Sequence, residues 1–153
     1  HLSEWFLVER MRPQDAQQRI PLKARIGSSQ PKLIEAVTLM ETNIEEPLSP
    51  DDLAYHVGLS RRHLERLFKK HLDNVPSRFY LQLRLDKARQ MLRDTDRSIV
   101  EVGMSCGFSS ASHFSTTYRT HFNVTPRQER GRATHVESTP SWNHSVVIQR
   151  RLD

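Results

Sequence analysis

At 153 residues the chain can form one domain with a real core, or two small subdomains on a linker, and it is too short for a large enzyme. A net charge of +5 and a pI near 9.8 permit a nucleic-acid partner without requiring one. The lone cysteine, Cys106, can neither close an internal disulfide nor build a multi-thiolate zinc site, which favours a cytosolic setting.

No run of about 18 apolar residues and no leader pattern occurs, so the expectation is a soluble, cytoplasmic protein with no membrane partner. The chain opens on His1, and the apolar stretch Trp5-Phe6-Leu7-Val8 follows almost at once, as expected of a fragment of a longer protein. Charge is unevenly spread. From Glu35 to Asp52 there are six acids and no Lys or Arg, whereas Ser60 to Arg93 holds ten basic residues against three acids, an excess of seven. The second stretch is the candidate DNA face.

In chain order, residues 1–12 read as the end of a helix, and Pro13 to Gly27 as a polar, proline-punctuated linker. Pro31 suits a first helical turn; Leu33, Ile34, Val37, Leu39, Met40 and Ile44 then recur at helical spacing until Glu46-Pro47 stops them. Ser49-Pro50-Asp51-Asp52 predicts the next helix start, with a capping serine, a first-turn proline and carboxylates at the positive end of the dipole. That helix ends near Gly58. Gly58-Leu59-Ser60 supplies a turn glycine, an apolar plug and a new cap, and Leu64, Leu67 and Phe68 mark the buried stripe of a third helix. The pattern is helix-turn-helix. Ser77 to Arg93 predicts a long amphipathic helix of about 25 Å. Ser98-Ile99-Val100-Glu101 is a capping box opening a short helix that ends around Cys106-Gly107.

The most specific signal is an internal repeat. Gly58-Leu59 answers to Gly107-Phe108, and with one extra turn residue Ser60, Leu64, Phe68, Lys69, His71, Leu72 and Pro76 answer to Ser110, Phe114, Tyr118, Arg119, His121, Phe122 and Pro126. The copies share apolar, cap and terminator positions and differ on the solvent face of the third helix, as two DNA-reading helices should.

In the first copy Arg62 and Arg66, four apart, share a face and can each bond guanine O6 and N7, while Glu65 can accept from cytosine N4. Arg61, Lys69 and Lys70 suit phosphates. The plain alternative is a solvated, charge-rich helix face. In the second copy the exposed set is Ala111, Ser112, His113, Ser115, Thr116 and Arg119; short hydroxyls discriminate weakly, so this helix is expected to add phosphate and van der Waals contacts. Ordinary surface roles stand as the alternative for Ser112, Ser115 and Thr116. His63 and His113 can touch phosphate or a base. His71 and His121, at matching helix ends, are expected to cap carbonyls. Cys106 reads as a small buried residue. No nucleophile elbow, paired HxxxH, P-loop or dinucleotide-binding glycine motif is present, so no catalytic residue, metal site or cofactor is expected.

Ser98-Ile99-Val100-Glu101-Val102-Gly103-Met104-Ser105-Cys106-Gly107-Phe108, then Ser112-His113-Phe114-Ser115 and Phe122-Asn123-Val124-Thr125-Pro126, resemble the AraC-type bacterial transcription regulators. Gly58 to Phe68 and Arg84-Leu85-Asp86-Lys87-Ala88-Arg89 agree, so the resemblance covers roughly Pro31 to Arg130. It implies an all-α fold of about seven helices. Two helix-turn-helix subdomains would be joined by a long linker helix, with both reading helices entering successive major grooves of double-stranded DNA. Base contacts would fall at Arg62, Glu65 and Arg66 and at Ser112, His113, Ser115 and Thr116, and phosphate contacts would include Arg127 and Arg130. Glu129 departs from the pattern, standing where the family often has an aromatic residue.

The implied organisation is an exit helix and linker over 1–26, a tandem DNA-binding domain over 27–131 and a flexible tail over 132–153. Within the domain, 27–76 form the first unit, 77–93 the linker helix and 94–131 the second unit. Residues 1–26 also resemble, through Trp5-Phe6 and Arg10-Met11-Arg12-Pro13, the subfamily with an amidotransferase-like N-terminal sensor for metabolites such as amino acids or quaternary amines. A small-molecule inducer, RNA polymerase and a dimeric state then belong to the intact protein, and the fragment is expected to be a monomer. A helical protein-protein adaptor built on the same repeat is the alternative function.

Overall fold

The structure, a computed structural model, describes residues 29–137. The exit helix and most of the linker expected before them, and the tail from 138 onward, lie outside the described residues. Seven α-helices and no strand occur among those residues: α1 (Pro31–Thr42), α2 (Pro50–Val57), α3 (Arg61–Leu72), α4 (Pro76–Asp94), α5 (Ile99–Ser105), α6 (Ala111–Phe122) and α7 (Pro126–Glu137). The all-α, two-unit expectation therefore holds. None of these helices is long and apolar enough to cross a membrane. Helix bounds differ from those expected: α4 begins at Pro76 and ends at Asp94, against 77–93, and α7 continues to Glu137, past residue 131.

Local chemistry sets the helix starts. Ser49 and Ser98, both in extended backbone, accept from the amides of Asp52 at 3.0 Å and Glu101 at 3.1 Å. The Glu101 carboxylate returns a bond to the Ser98 amide at 3.0 Å, completing the capping box. At the turn glycines φ is +76° for Gly58 and +88° for Gly107, the left-handed region where a side chain costs energy. The third helix of each unit closes on another left-handed residue, Asp73 (φ 49°) and Asn123 (φ 65°), whose amides reach back to the Lys69 and Arg119 carbonyls. His71, expected to cap carbonyls, instead leaves its Nε2 buried without a hydrogen-bond partner.

Two cores form. The first gathers Leu33, Met40, Leu53, Leu64 and Phe68 with Phe79, Tyr80 and Leu83 from the front of α4. The second gathers Val102, Phe108, Phe114 and Tyr118 with Leu85, Ala88 and Leu92 from its back. Ile44 packs against both.

The helix after each reading helix ties its unit together by a different device. In the first unit Phe79 stacks edge-on against Phe68 at 5.6 Å, while the Tyr80 hydroxyl donates to the Asn43 carbonyl and accepts the Leu48 amide at 3.0 Å. In the second, Glu129 and Arg130 occupy the corresponding places. Glu129 is fully buried, and its carboxylate accepts from Tyr118 Oη at 2.8 Å and Arg93 Nε at 2.8 Å, with Arg89 Nε 3.5 Å away. Arg89 also lies over the Phe122 ring at 4.9 Å. The departure from an aromatic residue is thus resolved by chemistry: Tyr118 carries the hydroxyl that Phe68 lacks, and α4 brings two guanidiniums. Burial and the adjoining carboxylate both push the Tyr118 phenol up from its ordinary value, so it stays a donor.

Removing the Glu129 carboxylate would leave a buried hydroxyl and two arginines short of an acceptor. Glu129→Ala is expected to cost about 3 kcal/mol and Tyr118→Phe about 1.5 to 2 kcal/mol. In a urea-denaturation double-mutant cycle the two losses should be clearly less than additive, because both remove one hydrogen bond.

Candidate nucleic-acid interface

The helices expected to read DNA are α3 and α6, and the structure builds them alike. Ser60 Oγ accepts the His63 amide at 3.0 Å and Ser110 Oγ accepts the His113 amide at 3.1 Å, so each helix begins at the same capped register. Inside, Leu64, Phe68 and Leu72 of α3 correspond to Phe114, Tyr118 and Phe122 of α6; all are buried except the half-buried Phe122. With the register fixed, Arg62, Glu65 and Arg66 correspond to Ser112, Ser115 and Thr116, and His63 to His113.

The structure brings the expected base-reading residues onto one side of each helix. Arg62 and Arg66 are exposed and Glu65 is half-buried, while Ser112, His113 and Thr116 are exposed and Ser115 is half-buried. The His113 ring meets the Phe108 ring edge-on at 5.5 Å, giving it a defined seat at the start of α6.

The expected phosphate ligands divide. Lys70, Arg119 and Arg127 are exposed. Arg61 already engages two acids, Glu65 Oε2 at 3.2 Å and Asp51 Oδ2 at 3.6 Å, and Lys69 bonds Asp73 Oδ1 at 2.9 Å. These are exposed pairs, screened by solvent, which a phosphate can displace. Arg61 to Glu65 and Lys69 to Asp73 are four-residue spacings, which put both partners of each pair on one helix face. Arg130 stands apart: its Nε donates to the Leu92 carbonyl at 3.1 Å and a terminal nitrogen to the Thr95 carbonyl at 3.2 Å, which commits the side chain to the end of α4.

Sequence reasoning missed Arg84. Its Nε donates to the Cys106 carbonyl at 2.8 Å and its Nη2 to the Gly107 carbonyl at 2.9 Å, and the guanidinium sits 4.5 Å from the Phe108 ring centroid. Desolvation by burial lowers its pKa from the ordinary arginine value. Nothing in the sequence pairs residues so far apart. Among the described residues no group of three or more His, Cys, Asp or Glu side chains could hold a metal ion.

Comparison with known proteins follows this geometry. A family model described as a helix-turn-helix domain matches residues 53–132. The crystal structure of an AraC-type DNA-binding domain-containing transcriptional regulator from Chromobacterium violaceum is 65% identical, with a TM-score of 0.67, over 70% of this chain and 96% of that one. The chain belongs to the AraC-type helix-turn-helix family. It is an AraC-type DNA-binding domain, and the HTH-type transcriptional regulators ArgR and GbdR of Pseudomonas aeruginosa are 60% and 54% identical over 129 residues. The chain spans 39% and 35% of the length of these two relatives, against 84% of its own. The DNA-binding domain of AdpA, solved with a target DNA, shares the fold with a TM-score of 0.66 at 24% identity.

One side chain of the AraC-type domain can be tested apart from DNA. Cys106 is fully buried beneath the second turn, and burial raises its thiol pKa to about 11. Thiolate is therefore scarce at pH 8. Native Cys106 should react with a thiol-specific disulfide reagent at least tenfold slower than the urea-unfolded chain, and the rate should rise with denaturant as local opening does. Equal rates would place the thiol at the surface.

Proposed function

We propose that α3 and α6 enter successive major grooves on one side of duplex DNA, α3 supplying most of the sequence discrimination and α6 mainly complementarity and backbone contacts. The observation that carries this reading is the duplicated frame. Two helices with the same serine cap, the same buried stripe and the same left-handed closure present different side chains at matched positions. A shared frame with divergent outer faces is what reading two different half-sites requires.

On α3, Arg62 and Arg66 are assigned to guanine edges and Glu65 to a cytosine amine. On α6, Ser112, His113, Ser115 and Thr116 face the bases. Lys70, Arg119 and Arg127 hold phosphates directly, and Arg61 and Lys69 do so by exchanging their carboxylate partners for phosphate. Arg130 is assigned to the fold. In the intact, cytoplasmic protein this domain regulates transcription in concert with RNA polymerase. An N-terminal domain, supplying the inducer site and dimer contacts, would occupy part of the length that the relatives have and this chain lacks.

Selection of bound sequences from a random duplex pool tests the reading. A motif of two half-sites about one helical turn apart should emerge, and binding should weaken steeply with salt. Arg66→Ala should cost about 1 to 3 kcal/mol on the selected site and relax preference at one base pair. Lys70→Ala should instead weaken all duplexes alike and reduce the salt slope by about one. Absence of both enrichment and salt dependence would leave the protein-protein adaptor as the function.

A further inference from the structure

Each reading helix hangs on its own core, so the distance and angle between them depend on what joins the cores. The first link is α4, which places Leu83 in one core and Leu85 in the other. Arg84 lies between them in sequence, and its fork grips two successive carbonyls of the turn between α5 and α6, at Cys106 and Gly107. The same turn is pressed from the opposite unit. A Cβ added at Gly107 would come within 2.7 Å of Pro47 Cγ and 2.8 Å of the Ile44 carbonyl oxygen, both in the loop between α1 and α2. The turn that launches α6 is thus pinned between the shared helix and the first unit, three residues ahead of the capping Ser110.

We infer that Arg84 is a positioning residue for DNA recognition: by clamping this turn it fixes the phase between α3 and α6, and so selects the spacing of the two half-sites. The inference rests on the two-groove reading. One base pair of spacer advances a half-site by about 3.4 Å and rotates it by about 35°, so a junction held more tightly than that accepts one spacing and rejects its neighbours. Lysine cannot replace the fork, since a single ammonium has no rigid pair of donors for two successive carbonyls.

The test uses the full chain and duplexes carrying the sequence that wild type selects from a random pool, with the spacer lengthened or shortened by one and two base pairs. Duplexes holding either half-site alone serve as references, and Arg84→Gln and Arg84→Lys are compared with wild type. Arg84→Lys keeps the aliphatic stem and the charge, so it should remain folded, as a urea melt verifies. Wild type is expected to lose roughly tenfold or more in affinity per base pair of spacer change. Both variants should lose about threefold or less, with single half-site affinities within about twofold of wild type. Arg84→Lys with an unchanged spacing profile would overturn the inference and leave the two-groove reading standing. A flat profile for wild type itself would overturn both.

Discussion

The 19-residue helix α4 is the constraint on which everything else rests, because it belongs to two cores at once. A helix of that length is a rod of about 28 Å. Its front buries Phe79, Tyr80 and Leu83 under the first reading helix, and its back buries Leu85, Ala88 and Leu92 under the second. A polar-apolar pattern serving a single core would have left one unit without a floor. The basic residues between these positions are divided as well: Arg84 holds a turn, while Arg89 and Arg93 meet a buried carboxylate.

Within that frame the two units solve one packing problem twice with different chemistry. Phe68 against Phe79 is an aromatic contact, and Tyr118 with Glu129 is a hydrogen bond backed by two arginines. Tyr80 and Arg130, at corresponding places, tie down the ends of α1 and α4, one with a hydroxyl and the other with a guanidinium. The energetic characters differ. Aromatic packing tolerates substitutions that preserve volume, whereas a buried ion cluster does not survive loss of one member.

Most of the fold was legible in the sequence because it is written locally. Serine caps, turn glycines and first-turn prolines act within four residues of themselves, so Ser60, Gly58 and Pro50 announced their roles unaided. The solvent-facing sides of α3 and α6 followed from helical period alone. Residues that act across long sequence separations were illegible. Arg84 bonds carbonyls 22 and 23 positions away, and Arg93 bonds Glu129 at 36. Glu129 was noticed only as a departure, since its partners cannot be found by spacing. Arg130, expected through the family resemblance to contact phosphate, donates to carbonyls 35 and 38 residues earlier.

Pro126 opens α7 as Pro76 opens α4, so the two helices correspond position by position. Three residues beyond each proline stand Phe79 in α4 and Glu129 in α7. Because Tyr118 and Glu129 satisfy each other, neither position can drift alone: in a descendant of this sequence an aromatic residue at 129 also requires loss of the Tyr118 hydroxyl and of the arginine charges at 89 and 93.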